Sequence, residues 1–212
     1  MANQYREDTE RDLWCLVDAG RLSSSPVGDR TRLDVGLDAL AAVAAVADVV
    51  GDRVGAVVFD DRVRRIVRPR RAGAAGLVRL LDDLEPSIVD SAYEAAFAQV
   101  TGAKRSLVIV FTDILDEAAA RPLLAAVPVL ARHHAVLVAG VRDPDLVSAV
   151  TTRPADRRDL LVAGVATDLL AERDHVRARL SASGAVVVDA PVRAVASACV
   201  AAYLRLKSVA RL

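Results

Sequence analysis

The sequence has few aromatic residues. One Trp, three Tyr and three Phe make up 3% of its 212 residues, so any core must be filled by Ala, Val and Leu. Cysteine is scarce too, with two, Cys15 and Cys199. That excludes a disulfide framework. Cys15 lies in an apolar run and Cys199 in an Ala/Val-rich helical pattern, so both read as buried thiols in a reducing compartment. No charge of one sign dominates, because 28 Lys and Arg balance 28 Asp and Glu. Net charge thus gives no case for a nucleic-acid or membrane partner. No run of about 18 apolar residues occurs, so no segment reads as a membrane span. The opening Met1 to Asp12 is polar and charged and does not read as a secretory signal. A cytoplasmic protein is the resulting expectation.

What is present is 53% hydrophobic residues, arranged in short blocks. A chain of this length buries roughly 70% of its unfolded surface as one domain, without a disulfide or structural metal. The expected organisation is a polar segment over 1–12, one domain over 13–207 and a tail over 208–212. Leu13 to Val17, ending at Asp18, is short, apolar and not alternating, which predicts a strand buried on both faces. Arg32 to Val50 predicts a helix that is apolar nearly all round, capped by Thr31 with Asp34 three residues on. Gly55 to Phe59 predicts a strand, Asp60-Asp61 a tight turn, and Arg62 to Pro69 an antiparallel edge strand. Helices follow near Gly73 to Leu84 and Ala92 to Val100. Ser106 to Phe111 is the clearest strand. After it come a helix from about Asp116 to Arg132, a strand Ala135 to Gly140 and a short helix Arg142 to Val150. A long helix Asp156 to Ser183, a strand Ala185 to Val188 and a final helix opened by Pro191 complete the chain. Such alternation predicts an α/β fold with a mostly parallel central sheet, one antiparallel edge strand and helices on both faces.

Ligands of open parallel sheets bind outside the carboxyl ends of the strands. Asp18 and Asp113 stand at two such ends. If their strands are neighbours, the two carboxylates converge on one crevice, where carboxylates, hydroxyls and waters can hold Mg²⁺. Alternatively, each accepts hydrogen bonds from loop amides or caps the following helix. Carboxylates that close need compensation from amides, an Arg or a cation, and Arg21 is the nearest candidate in sequence. His133, His134 and His175 lack metal-ligand spacing, and Cys15 inside a strand is a poor nucleophile, so no catalytic set emerges. Six arginines fall between Arg62 and Arg71. They read as a solvated, protected edge strand, or else as a docking patch for an acidic partner or a phosphate backbone.

Leu16-Val17-Asp18-Ala19-Gly20-Arg21 and Phe111-Thr112-Asp113 resemble pieces of a von Willebrand factor A domain, which has a Rossmann-like fold. Val17 to Arg21, Gly51 to Gly55, Tyr93 to Phe97, Ser106 to Val108 with Phe111 to Asp113, and Tyr203 to Lys207 together resemble the bacterial domain-of-unknown-function 58 family. That family's metal-ion-dependent adhesion site reads Asp-x-Ser-x-Ser, a distant Thr, then Asp. Here Gly20 and Leu22 replace both hydroxyl ligands, and no Thr stands near Asp90-Ser91-Ala92. Only Asp18 and Asp113 carry over, so the site is degenerate. One of Ser23 to Ser25, or Ser91, is left to supply a hydroxyl. The resemblance implies a non-enzymatic binding and assembly module without cofactor that partners a MoxR-type AAA ATPase. The alternative is a Mg-dependent adhesion-type domain using Asp18 and Asp113. Arg21, Ser23, Ser24, Ser25, Asp90 and Ser91 are the expected partner-contacting residues. Relatives usually carry N-terminal membrane helices and another domain. Against that pattern this chain is either a cut-out domain, the cytoplasmic part of a membrane-anchored protein, or a naturally short protein.

Overall fold

Short apolar strands alternate with helices because each central strand is buried on both faces and needs a helical cover on each. The computed structural model describes residues 10–114 and 117–209. It starts with β1 (Asp12–Asp18), a 3₁₀ turn (Arg21–Ser24) and a short ladder of β2 (Pro26–Val27) with β3 (Arg30–Thr31). Then come α1 (Arg32–Val49), β4 (Arg53–Phe59), β5 (Val63–Arg70), α2 (Ala74–Leu81) and α3 (Tyr93–Thr101). The second half holds β6 (Leu107–Phe111), α4 (Glu117–Ala131), β7 (Ala135–Arg142), α5 (Pro144–Thr151), α6 (Arg157–Ala182), β8 (Val186–Pro191) and α7 (Val192–Val209). The expected start of α4 near Asp116 lies outside the described residues.

Six strands form one sheet in the order β5-β4-β1-β6-β7-β8. All neighbours are parallel except β5, which runs antiparallel to β4 at the edge. The two-residue side-chain period of a strand divides the core. Leu13, Cys15 and Val17 of β1 join one apolar layer, packed under α1 and α7. Trp14 and Leu16 join the other, under α3 and α4. Strands β4, β6 and β7 split in the same way. Both thiols sit free in the first layer, and burial pushes Cys15 up and Cys199 up to about 12, which keeps them protonated.

Helix α1 starts as read. Thr31 Oγ1 accepts from Asp34 N–H at 3.2 Å, and the Asp34 carboxylate accepts from Thr31 N–H at 2.8 Å. On β5, Arg64, Ile66, Arg68 and Arg70 face outward. Arg65 forks onto Asp83 at 2.7 and 2.9 Å, Arg64 donates to the Glu85 carbonyl at 2.8 Å, and Arg71 pairs with Glu10. Part of the arginine cluster is thus spent within the chain along a protected edge. Most element ends fall within a few residues of the sequence reading, α2 ending at Leu81 and β7 running on to Arg142. Pro191 ends β8 instead of opening the last helix, and it pairs with Arg142 across the sheet. The regular elements run from Asp12 to Val209. Among the described residues no helix is long and apolar enough to cross a membrane.

Candidate functional site

The chain leaves β1 toward β4 on one side, while β6, β7 and β8 extend on the other. The strand order therefore reverses between β1 and β6, where open sheets gape at their carboxyl ends. Val17 pairs with Phe111 in register, so Asp18 and the Thr112-Asp113 step end side by side. Both carboxylates are buried, Asp18 at 1% and Asp113 at 3% exposure. The two acids therefore stand at the ends of adjacent strands, each with its own set of partners.

Four donors surround the Asp18 carboxylate. Ser91 Oγ at 2.5 Å and Gly20 N–H at 2.9 Å reach Oδ1. Thr112 Oγ1 at 2.7 Å and the Tyr93 hydroxyl at 2.8 Å reach Oδ2. The Tyr93 and Thr112 hydroxyls also lie 2.7 Å apart. Burial and the adjacent Asp18 carboxylate push the Tyr93 hydroxyl well above its ordinary value, so it stays a donor.

Asp113 is met by two arginines. Arg173 Nη1 of α6 lies 3.1 Å from Oδ1, and Arg32 Nη1 of α1 lies 3.4 Å from Oδ2. Both guanidiniums also donate to the Val141 carbonyl at 2.8 Å. Arg32 reaches on to Asp143 and Arg173 to Asp189, each at 2.8 Å. Burial alone would raise the Asp189 carboxyl, but the Arg173 guanidinium, helped by Arg142, outweighs it and holds the group below its usual range. Arginine cannot lose its proton in a protein, so these two side chains are permanent cations beside Asp113. Arg21, the compensating group suggested by sequence, plays no such part. It pairs instead with exposed Asp90 at 2.7 Å.

The missing hydroxyl at position 20 has a steric cause. Segment 87–91 closes over the end of β1, with Ser87 N–H donating to the Ala19 carbonyl at 2.7 Å and Arg21 N–H to the Val89 carbonyl at 2.8 Å. A Cβ on Gly20 would overlap Ser91 Oγ and stand 2.9 Å from the Val89 carbonyl oxygen. Ser91 thus takes the place against Asp18 that a side chain at position 20 would fill. Ser87 also binds Asp60 at 2.8 Å. Beneath the strand ends, the space among Asp18, Ser23, Arg32 and Thr112 amounts to about 10 Å³. One water needs roughly 10–15 Å³, so this inner space holds about one water at most.

The expected partner-contacting residues divide. Arg21, Asp90 and Ser91 line an open pocket of about 340 Å³, together with Leu22, Tyr93 and Pro122. Ser23 is buried and faces the small inner space. Ser24 Oγ donates to the Arg21 carbonyl within its own turn, and the Ser25 carbonyl accepts from Arg32 N–H. Sequence reasoning missed Arg32, Thr112, Tyr93, Arg173 and Asp189. Two of them leave a trace. Arg32 opens a helix, where the dipole disfavours a cation. Arg173 falls on the stripe of Ala166, Val176 and Leu180, the buried residues of α6. The histidines stay away from the site. His134 lies at the opposite end of the sheet, where its Nδ1 accepts from Ser106 N–H, and burial lowers its pKa.

Solved structures with this fold include the conserved hypothetical protein BatB from Bacteroides thetaiotaomicron, at TM-score 0.59 and 15% identity over 94% of this chain and 100% of that one. The VWA domain of SpRpn10 matches at TM-score 0.53 and 12% identity, over 90% of this chain and 94% of that one. The PilB minor pilin from Streptococcus sanguinis matches at TM-score 0.56 and 11% identity, over 94% of this chain but only 61% of the pilin. No curated protein matches the chain. The fold is that of a von Willebrand factor A domain. The family model described as "Protein of unknown function DUF58" matches residues 1–148, most of the chain, and the chain belongs to that family.

Proposed function

We propose that this chain is a non-catalytic protein-binding module that recognises its partner without a metal, through the rim above Asp18. One observation carries the reading: both carboxylates already have partners, while the pocket lined by Asp18's partners Ser91 and Tyr93 is open. Asp18 is saturated by donors and Asp113 is neutralised by Arg32 and Arg173. A von Willebrand-type metal site leaves a coordination position free for a partner's acidic group. Here the corresponding contact is with protein groups on the rim. Arg21 and Asp90 pair across that rim while 56% and 86% exposed. So exposed a pair contributes at most about 1 kcal/mol, and its members can exchange each other for a partner's charges at little cost.

The family resemblance suggests a MoxR-type AAA ATPase as that partner. The chain's role would be to present this rim to the assembly. Mg-dependent adhesion through Asp18 and Asp113 is the competing reading. The test is a surface-binding titration of the immobilised chain with the nucleotide-free MoxR-type ATPase of the same host, in EDTA and in MgCl₂. Equal affinity in both buffers is expected. Arg21→Glu and Asp90→Lys should each weaken it roughly tenfold, as charge reversals at a docking rim do. Binding lost in EDTA favours the competing reading. Full binding by both variants places the docking face elsewhere, and no binding at all removes this ATPase as partner.

A further inference from the structure

Helix α6 has 26 residues, and its first half packs only against the short helix α5 and buries none of its own side chains before Ala166. Neighbouring α5 buries none either. Leu160, Leu161 and Val165 are 62%, 63% and 61% exposed. Apolar side chains clustered like this mark an interaction surface more than single exposed ones do. The stripe lies beyond residue 148, where the family match ends.

We propose that this half of α6 is a self-association surface, on which two copies of the chain pair antiparallel about a two-fold axis close to Gly164. The order of residues along the helix supports this. Arg157, Leu161, Gly164, Asp168 and Glu172 follow one another at the three- and four-residue steps that define one helical face, with Arg158 and Val165 beside them. All of these are exposed. The stripe is therefore basic at its start, apolar in its middle and acidic at its end, over about 23 Å at 1.5 Å per residue.

A stripe of that polarity complements its own reverse. Antiparallel pairing sets Arg157 and Arg158 against the partner's Asp168 and the partner's Glu172, and brings Leu161 toward the partner's Val165. Parallel pairing would set like charges together. A two-fold interface requires this self-complementarity. Within one chain the same charges are poorly placed. Two arginines in the first turn oppose the helix dipole, and Asp168 and Glu172 repel at i,i+4. The ion pairs of α6 among the described residues use Arg173, Asp174, His175, Arg177 and Arg179, and none uses these four. Gly164 completes the pattern. It weakens an exposed helix, and a Cβ there would meet no atom within 4 Å. A second helix crossing over that bare backbone gives the glycine a use.

Sedimentation velocity of the full chain over a concentration series tests this. The wild type should form dimers. R157E/R158E makes the stripe wholly acidic and D168R/E172R makes it wholly basic, so each should associate at least about tenfold more weakly. An equimolar mixture of the two should recover the dimer. Leu161→Asp, at an exposed position that leaves the fold intact by circular dichroism, should also be monomeric. A wild type that stays monomeric up to millimolar concentration overturns the proposal. So do charge variants that dimerise as well as the wild type, or a mixture that fails to pair.

Discussion

Arg173→Met is expected to cost the fold about 3–5 kcal/mol, the loss found when one partner of a buried ion pair is removed. Its guanidinium is 4% exposed and bridges Asp113 and Asp189, which are 2% and 3% exposed. Methionine keeps an apolar stem of similar length and deletes the cation. The remaining arginines, Arg32 on Asp113 and Arg142 on Asp189, then face the carboxylates alone. The pH dependence carries a sign. In the wild type the Asp189 carboxyl is held low. Its contribution is complete above the ordinary carboxyl pKa and is lost as pH falls through the folded value. In the variant only Arg142 is left to oppose the effect of burial on that carboxyl, so this stabilisation is weakened. What the wild type gains from Asp189 over the variant is thus full above the ordinary carboxyl pKa and shrinks as pH falls. The deficit measured by urea unfolding should therefore be larger at neutral pH than in mild acid. A deficit below about 1 kcal/mol, typical of surface pairs, would mean that the arginine is not the buried counter-ion.

Asp18→Ala should destabilise the metal-free protein by about 2–4 kcal/mol. Gly20 N–H and the Ser91, Tyr93 and Thr112 hydroxyls would lose their shared acceptor. An unsatisfied buried donor costs about 1–3 kcal/mol, partly recovered where hydroxyls rotate or water enters. The direction is diagnostic. In an empty metal site, deleting one of two adjacent carboxylates relieves like-charge repulsion and stabilises the apo protein. Here the carboxylate holds segment 87–91, α3 and the end of β6 together through Ser91, Tyr93 and Thr112. A higher Tm for Asp18→Ala in EDTA would show that the repulsion, not the hydrogen bonding, dominates.

Much of the fold was legible because its determinants are local or periodic. The apolar blocks gave the buried strands, the Thr31/Asp34 capping box fixed the start of α1, and Asp60-Asp61 gave the turn into β5. The two carboxylates were legible as strand-end acids, but their partners were not. Arg173 stands 60 residues from Asp113, and the Arg32 contact with Val141 spans 109. No local window links residues so far apart, and an arginine on a helix ordinarily reads as a surface charge. The missing Ser at position 20 was visible as a departure from the family pattern. Its reason, the approach of Val89 and Ser91, depends on the path of a loop that contains no regular element. Pro191 read as a helix opener because Pro suits a helix's first turn. It is the end of an edge strand, where a missing N–H is equally tolerated.

The central claim is that protein donors and two arginines occupy the places that a metal ion and its ligands would take. Mg²⁺ demands near-octahedral oxygen coordination and gives up its waters reluctantly, and the Asp18 carboxylate is already met by four protein donors. The most direct measurement is thermal unfolding of the wild type in EDTA and in millimolar MgCl₂, with ionic strength matched. A ligand present at 100 times its dissociation constant adds about 2.7 kcal/mol, which for a domain of this size shifts Tm by several degrees. The account predicts coincident melting curves. A Mg²⁺-dependent rise of several degrees that disappears in Asp18→Ala would contradict it.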